Sequence, residues 1–303
     1  MSANVSLAGC TRFGIGGPAL LLADALTEAA LVAACRALHK SGARYAVIGG
    51  GTNLIASDEG FPGVVLRYTN ASVEAKDTRV VAAAGALLQD LVDRTISRGL
   101  GGLETLTGIP GWLGGAIYGN AGAYGHSIYE RVRRVRFLDT ARAEIREFDN
   151  AACQFRYRES VFKRRKDWIV LSAELDLSEA DADKLRETAA EIRKIRDEKY
   201  PPTMRCAGSI FKNLIFAELP EEARADVPLK AVREGKVASA YFLERAGAKG
   251  MKRGGVEVAD YHANLIFNAG KGTARELHEL IAELKQRVRD RFGIELEEEV
   301  QYI

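Results

Sequence analysis

The chain has 303 residues, 47% of them apolar and 28% charged, with 30 glycines, 7 prolines and 4 cysteines. That is length for about two to three domains, or one large α/β unit, each with a real core; disordered and collagenous chains are excluded. Forty-three Lys and Arg against 41 Asp and Glu leave a formal charge of +2, which argues against a dedicated nucleic-acid binder and gives no general attraction to anionic lipid. From Thr27 the pattern turns helical, with Leu31, Cys35 and Leu38 on one stripe, Thr27 as N-cap and Gly42 as stop. A strand, Tyr45 to Ile48, runs into Gly49 to Asn53; further strands are expected at Val64 to Leu66 and Val80 to Ala84, then a helix from about Leu87 to Arg98.

Residues 108–125 hold seven glycines in eighteen positions, too many for a stable long helix. Ile109, Trp112, Leu113, Ile117 and Tyr118 are interleaved with them, so the stretch is expected to be ordered and packed rather than a linker. The glycine-free middle reads as antiparallel β: Val132 to Leu138, a turn at 139–141, Glu144 to Phe148, and Trp168 to Ala173. A charged helix from about Asp183 to Lys199, with Leu185, Ala189, Ile192 and Ile195 as its apolar stripe, stops at Pro201-Pro202, the expected domain boundary. A strand near Leu265 to Phe267 precedes a final helix from about Thr273, carrying Leu277, Leu280, Ile281, Leu284 and Val288.

Glycine is placed where the backbone takes positive φ or lies close to something else. Of the 30 glycines, 21 fall in residues 1–125, none in 126–207 and nine in 208–303, which gives three segments. Cys10, Cys35, Cys153 and Cys206 form no C-x-x-C pair, so neither a metal site nor a disulfide framework is indicated and a reduced, cytoplasmic setting is expected. Leu7-Ala8-Gly9-Cys10 has the look of a lipoprotein cleavage box, but the six residues before it supply no basic or apolar region, and lipidation is not expected. No apolar run approaches the ~18 to 20 residues that span a bilayer.

Several stretches could carry chemistry. Gly49 to Asn53 follows a strand, where backbone N–H groups can cradle a diphosphate; it is neither a Walker A loop nor G-x-G-x-x-G, and a plain tight turn fits as well. With the 108–125 stretch, it favours backbone wrapped around a long nucleotide cofactor. Phe155 to Ser160 alternates, which as a strand would put Arg156 and Arg158 on the face opposite Phe155 and Tyr157. Either guanidinium suits a carboxylate or enolate, and nothing in the pattern ranks Arg158 first. Gly208 to Asn213 offers a hydroxyl, a cation and an amide, without a G-x-S-x-G elbow, so Ser209 reads first as a cap or turn residue. The basic run Lys163 to Lys166 reads as a solvated loop. At the C-terminus, alternation puts Leu296, Val300 and Tyr302 on one face and Glu297, Glu299 and Gln301 on the other; Glu298 would point to the apolar face unless a bulge or edge relieves it. His262 is equally a packed histidine or a ligand contact.

Ten motifs occur in order: Thr11 to Gly17 (TRFGIGG), 49–53 (GGGTN), 102–104 (GLE), 108–111 (GIPG), 114–116 (GGA), 120–125 (NAGAYG), 157–160 (YRES), 207–213 (AGSIFKN), 262–264 (HAN) and 296–300 (LEEEV). In this set and order the chain resembles the UDP-N-acetylenolpyruvoylglucosamine reductase family, in its shorter type lacking a substrate-covering loop. The resemblance implies an α+β protein: a two-subdomain FAD-binding unit of the vanillyl-alcohol-oxidase (PCMH-like) type over 1–70 and 71–200, then an α/β substrate-binding domain over 201–303. It implies NADPH-dependent reduction of UDP-N-acetylglucosamine enolpyruvate to UDP-N-acetylmuramate for peptidoglycan, through noncovalent FAD, by a cytoplasmic monomer or weak oligomer that binds neither nucleic acid nor membrane.

By the same resemblance, Gly49, Gly50, Gly51, Thr52 and Asn53, with Gly108, Ile109, Gly111, Gly114, Gly115, Asn120, Gly122, Ala123, Tyr124 and Gly125, line the flavin diphosphate and ring, with Arg196 near the cofactor. Tyr157, Lys199, Lys212, Asn213 and His262 fall where the family contacts the UDP-sugar. Arg158 and Glu299 match the groups that stabilise an enolate, and Ser209 matches the proton donor. Thr52 stands where Ser is common, Gly119 where Met is usual, and Leu214 where Pro is frequent, which bears on affinity and packing. An oxidase of the same architecture and a non-catalytic nucleotide-sugar binder are the alternatives.

Overall fold

A computed structural model describes all 303 residues. They fall into two compact units: one of residues 1–5, 19–50 and 62–201, the other of residues 6–18, 51–61 and 202–303. The division expected from the sequence is contiguous, whereas the second unit takes two stretches from the first seventy residues.

The first unit holds two large sheets and two two-stranded ones. Strands β1 (Ser2–Ser6), β2 (Pro18–Ala25), β3 (Tyr45–Ile48) and β4 (Phe61–Tyr68) lie in the order β1-β2-β4-β3, with β3 and β4 parallel. Helix α1 (Glu28–Ser41) links β2 to β3; Thr27 Oγ1 accepts the Ala30 N–H at 3.1 Å, and Gly42 closes the helix at φ 66°. Leu31 and Cys35 bury the stripe in the same core as Ala23, Leu66 and Tyr68. The second sheet is antiparallel throughout. It is built from β5 (Val73–Lys76), β6 (Arg79–Ala83), β7 (Val132–Asp139), β8 (Glu144–Asp149) and β9 (Trp168–Asp176), in the order β8-β7-β9-β6-β5.

Helices α2 (Leu88–Ser97), α3 (Leu113–Tyr118) and α4 (Ala182–Lys199) share the core of this unit through Leu88, Leu91, Leu113, Ile117 and Leu185. One stripe residue departs from expectation: Ile195 is 51% exposed. At 100° per residue it falls about 80° from Leu185, at the edge of a stripe centred on Leu185, Ala189 and Ile192.

Two further segments differ from what their sequence patterns predict. Residues 155–160 are a turn, not a strand: Arg156 and Glu159 exchange backbone N–H···O bonds of 3.0 and 3.1 Å, and Tyr157 and Arg158 form the tip. The two arginines therefore do not share a strand face. The basic run begins in a helical turn, Val161–Arg164, whose N-cap Ser160 accepts the Lys163 N–H; Lys163 pairs with Glu159 at 3.0 Å.

In the second unit, β10 (Cys206–Ser209), β11 (Lys252–Arg253), β12 (Val256–Val258) and β13 (Leu265–Asn268) form an antiparallel sheet in the order β10-β13-β12-β11. Helix α5 (Ala274–Phe292) buries Leu277, Leu280, Ile281, Leu284 and Val288 among Phe13, Ile15, Ile55, Phe211 and Phe242. Its N-terminus explains why 51–61 belongs to this unit. The Asp58 carboxylate accepts the N–H groups of Ala274 and Arg275 at 2.7 and 2.9 Å, and Thr273 Oγ1 accepts that of Glu276 at 3.1 Å. With the Thr273 N–H on Glu276 Oε2 at 3.0 Å, all four N–H groups that open a helix unsatisfied are met. Leu7, which opens the 7–10 run where lipidation is not expected, is fully buried in a short 3₁₀ turn with its N–H on the Gly17 carbonyl.

The C-terminal tail docks as β14 (Gln301–Tyr302), parallel to the short strand Leu54–Ile55. Leu296 and Val300 are buried as expected, but Tyr302 is 41% exposed and stacks on His278 with ring centroids 4.7 Å apart. Glu298 is relieved by partners rather than by a bulge: it takes Lys285 Nζ at 2.8 Å and the Tyr302 hydroxyl. No helix is long and apolar enough to cross a membrane.

Candidate functional site

In the first unit, Gly49 and Gly50 leave the end of β3, and the Trp112 indole packs over Gly50. The 108–125 stretch is ordered, as expected, but several of its polar groups are already committed. The Gly108 N–H donates to Gln89 Oε1 at 2.7 Å, the Gly114 N–H to the Ala84 carbonyl at 2.8 Å, and the Gly111 carbonyl accepts the Leu88 N–H at 2.9 Å. Those groups build the loop rather than face a ligand.

Gly108, at φ 77°, has the Arg196 side chain so close that a Cβ would sit 3.0 Å from Cδ, so Arg196 lies over bare backbone. Ile109 packs on the core. Gly115, in α3, is different: it is exposed, and nothing beyond its own helix lies within 4 Å of where its Cβ would be. This open, side-chain-free surface beside the packed loop fits a broad planar group such as a flavin.

Gly122 and Ala123 pair with Ser127 and His126 in a two-residue hairpin whose tip, Tyr124 and Gly125, has positive φ at both positions (55° and 82°), as a type I′ turn requires. This hairpin and the 156–159 turn are laced together. Asn120 Nδ2 donates to the Arg156 carbonyl at 2.8 Å, Ser160 Oγ to that of Tyr118 at 2.7 Å, and Arg158 Nη2 to that of Gly122 at 2.9 Å. The Asn120 side chain, expected on the cofactor, is buried as a brace; its Oδ1 also takes the Tyr129 N–H.

Arg158 is itself in the left-handed region at φ 56°, and Lys163 Nζ holds its carbonyl at 3.0 Å. A non-glycine residue there costs about 1 to 3 kcal/mol, which the surrounding bonds must outweigh. Tyr157 lies against the Arg158 guanidinium at 5.3 Å. Lys199 ends α4, exposed, with its ammonium 5.2 Å from the Tyr200 ring centre.

The second unit carries the rest. Gly51 has φ 63°, and a Cβ would lie 1.8 Å from the Cys10 carbonyl oxygen, so no other residue fits. Thr52 is half-buried, and Asn53 Nδ2 donates to the Glu299 carbonyl at 2.9 Å. Ser209 ends β10 opposite Leu265. Beyond it, Ile210, Phe211 and Lys212 run antiparallel to 297–299: the Glu299 N–H donates to the Ile210 carbonyl at 2.7 Å, the Lys212 N–H to that of Glu297 at 2.9 Å, and Phe211 bridges Glu298. Ser209 and Glu299, ninety residues apart in sequence, are brought onto neighbouring strands.

Lys212 was expected on the substrate, but it is 7% exposed and its ammonium meets the Glu297 carboxylate. A buried ammonium needs such a partner. Asn213 is exposed; His262 is half-buried, and its Nδ1 accepts the Asn264 N–H at 3.4 Å.

Asn264, which no pattern in the sequence ranks as a site residue, is 2% exposed. Its Oδ1 takes the Phe211 N–H and its Nδ2 donates to the Phe211 carbonyl, both at 2.9 Å, and to Ser239 Oγ at 2.7 Å. The amide acts as a strand partner for the segment after Ser209. Its only signal in the sequence is its place in the His-Ala-Asn motif.

Residues 19–149 match the FAD binding domain family, and residues 200–303 match the C-terminal domain of UDP-N-acetylenolpyruvoylglucosamine reductase. Fold, open glycine backbone and these two matches define the class: an α+β, FAD-dependent oxidoreductase. Along its whole length the chain is 60% identical to the UDP-N-acetylenolpyruvoylglucosamine reductase of Solibacter usitatus, covering 96% of that protein. It is 36% identical over 302 residues to the enzyme of Carboxydothermus hydrogenoformans, covering 99% of this chain and 93% of that one. The crystal structure of the Thermus caldophilus reductase superposes with a TM-score of 0.77 at 28% identity, covering 98% of this chain and 97% of that one. The chain belongs to the UDP-N-acetylenolpyruvoylglucosamine reductase family.

Proposed function

We propose that this protein reduces UDP-N-acetylglucosamine enolpyruvate to UDP-N-acetylmuramate for peptidoglycan synthesis, with NADPH as the electron source. When bound, FAD supplies a two-electron carrier between NADPH and the enolpyruvyl double bond. Its binding residues are those of the glycine stretches, above all the open backbone at Gly115, with Gly49 to Thr52 and Arg196.

Hydride addition at the terminal CH2 carbon leaves negative charge on the other vinyl carbon and, by delocalisation, on the carboxylate. Arg158, with its guanidinium preset by the Gly122 carbonyl, is the cation that stabilises this charge, and Glu299 is the acid held against the same carboxylate. Ser209 Oγ–H delivers the proton to the carbanion carbon, which completes a saturated ether. A hydroxyl is a weak acid, so this step needs a strongly basic carbon and close positioning. Tyr157, Lys199, Asn213 and His262 contact the UDP-sugar.

What supports the reading most directly is the Glu299 N–H to Ile210 carbonyl bond, which sets the proposed acid one residue from the proposed proton donor. Residues 1–70 and 71–200 serve as the two flavin-binding halves, and 201–303 as the main body of the substrate-binding domain. Four free thiols and the lack of a long apolar helix suit a cytoplasmic protein, working as a monomer or weak oligomer.

Purified protein is expected to be yellow, bleached by NADPH and restored by the enolpyruvyl substrate without oxygen. Ser209→Ala is expected to leave bleaching near normal and to slow substrate-driven recovery by about 100-fold or more. Equal loss of both half-reactions would reject the role of Ser209. Recovery by oxygen with no response to substrate would instead mark an oxidase, and a colourless preparation that still binds UDP-sugar a non-catalytic protein.

A further inference from the structure

The side chain of Asn53 lies in a stretch that the family resemblance gives to the cofactor, yet its amide nitrogen is turned to the C-terminal strand. Nδ2 donates to the Glu299 carbonyl at 2.9 Å, and the Asn53 carbonyl accepts the Gln301 N–H at 3.0 Å. Asn53 therefore grips the C-terminal strand at two points, on either side of Val300. From the opposite side the Glu299 N–H is held by the Ile210 carbonyl at 2.7 Å.

Both backbone polar groups of Glu299 are thus committed, the N–H to the segment following Ser209 and the carbonyl to the glycine loop at 2.9 Å, with a longer contact of 3.4 Å from Gln301 Nε2. A single backbone hydrogen bond would leave residue 299 free to pivot; two on opposite edges define its position and the direction of its side chain. The donor must be the amide nitrogen, because a carbonyl can only accept.

We infer that Asn53 is a positioning residue for Glu299: through its side-chain amide the glycine loop sets where the proposed acid stands relative to Ser209. The inference rests on the catalytic reading of Glu299. It adds that the last residue of the Gly-Gly-Gly-Thr-Asn loop acts in the half-reaction that consumes the enolpyruvyl substrate, not in cofactor retention. Displacement of a catalytic group by about 1 Å costs up to about 100-fold in rate, so loss of the clasp is expected to register there.

The test is a double-mutant cycle on the holoenzyme with Asn53→Ala, Glu299→Gln and the pair, following the two half-reactions separately by flavin absorbance. Asn53→Ala is expected to keep its flavin, to be reduced by NADPH within about twofold of the native rate, and to slow substrate-driven reoxidation by about 10- to 100-fold. The pair is expected to be no slower than Glu299→Gln alone, because the clasp acts only through Glu299. Amide hydrogen exchange of Glu299 to Gln301 in the apoprotein is expected to quicken in Asn53→Ala, a readout independent of catalysis.

Loss of flavin, equal slowing of both half-reactions, or multiplicative effects in the pair would overturn the inference while leaving the role of Glu299 standing. Unchanged reoxidation in Glu299→Gln would instead overturn that role, and this inference with it. Should Asn53→Ala not fold, Asn53→Asp keeps the shape, exchanges the donor for a negatively charged acceptor facing the Glu299 carbonyl, and is held to the same outcomes.

Discussion

Asn264 illustrates how much a single buried amide can organise. It satisfies both backbone groups of Phe211 and meets Ser239 Oγ while itself buried. Asn264→Ala strands the Phe211 N–H and leaves its C=O only the Ser239 hydroxyl at 3.4 Å, and a buried group left unpaired costs about 1 to 3 kcal/mol. The variant is expected to lose about 2 to 4 kcal/mol of stability by denaturant titration, and its residual folded fraction to show slowed substrate-driven reoxidation, because Ser209 stands two residues from Phe211. A loss below 0.5 kcal/mol would mean that the network is not what holds the segment. At this scale the sequence was partly legible. Ser209, Arg158 and Glu299 stand out through the motif set, while the buried roles of Asn120, Lys212 and Asn264 depend on neighbours 36, 85 and 53 residues away.

Among the elements, α5 reads most plainly from sequence. Thr273 and Glu276 form a reciprocal capping box, and Glu276 also takes the Gly255 N–H at 3.1 Å. Those backbone N–H bonds hold the Glu276 carboxyl below the usual carboxylate range. Thr273→Ala is expected to cost about 1 kcal/mol, read as a lowered thermal midpoint. The C-terminal strand offers a pH test. Burial pushes the Glu298 carboxyl up, but hydrogen bonds from Lys285 and Tyr302 outweigh it and hold the pKa below its ordinary 4.5. A carboxyl depressed by folding contributes stability in full above its unfolded pKa and loses it as pH falls through the folded value. Glu298→Gln is therefore expected to be less stable than the native chain at pH 7, with the gap closing below pH 4.5 in paired denaturation curves. A gap that stays constant down to pH 3 would reject the ionised pairing. The 155–160 turn, in contrast, was not legible: its alternation is that of a strand, and only the lacing from Asn120, Ser160 and Lys163 bends it back.

Across the whole molecule, the interleaving of the two units and the fate of the thiols are linked to burial. Burial pushes the Cys35 thiol up to about 11 and that of Cys153 to about 12, and Cys206 is fully enclosed, whereas Cys10 is half-buried. The thiolate is the reactive form, so one thiol is expected to label promptly with a thiol reagent in the native protein, and all four after denaturation. Prompt labelling of two or more would show that a core is open. Because the Cys10 carbonyl sits against Gly51, the labelled position also reports on the ground beneath the glycine loop.

The sequence by itself determined the local elements whose information is local: a capped helix such as α1 or α5, an apolar stripe of the right period, a double proline that ends a helix, and an ordered set of motifs that identifies the family. Which distant segments share a core is settled by long-range packing. Residues 6–18 and 51–61 join the second unit because Phe13, Ile15 and Ile55 bury there and Asp58 caps α5. Glu299 reaches the neighbourhood of Ser209 because two backbones pair across ninety residues, and Asn53 holds it there. Such contacts repay the entropy of closing long loops only once the core has formed, so no window of sequence contains them.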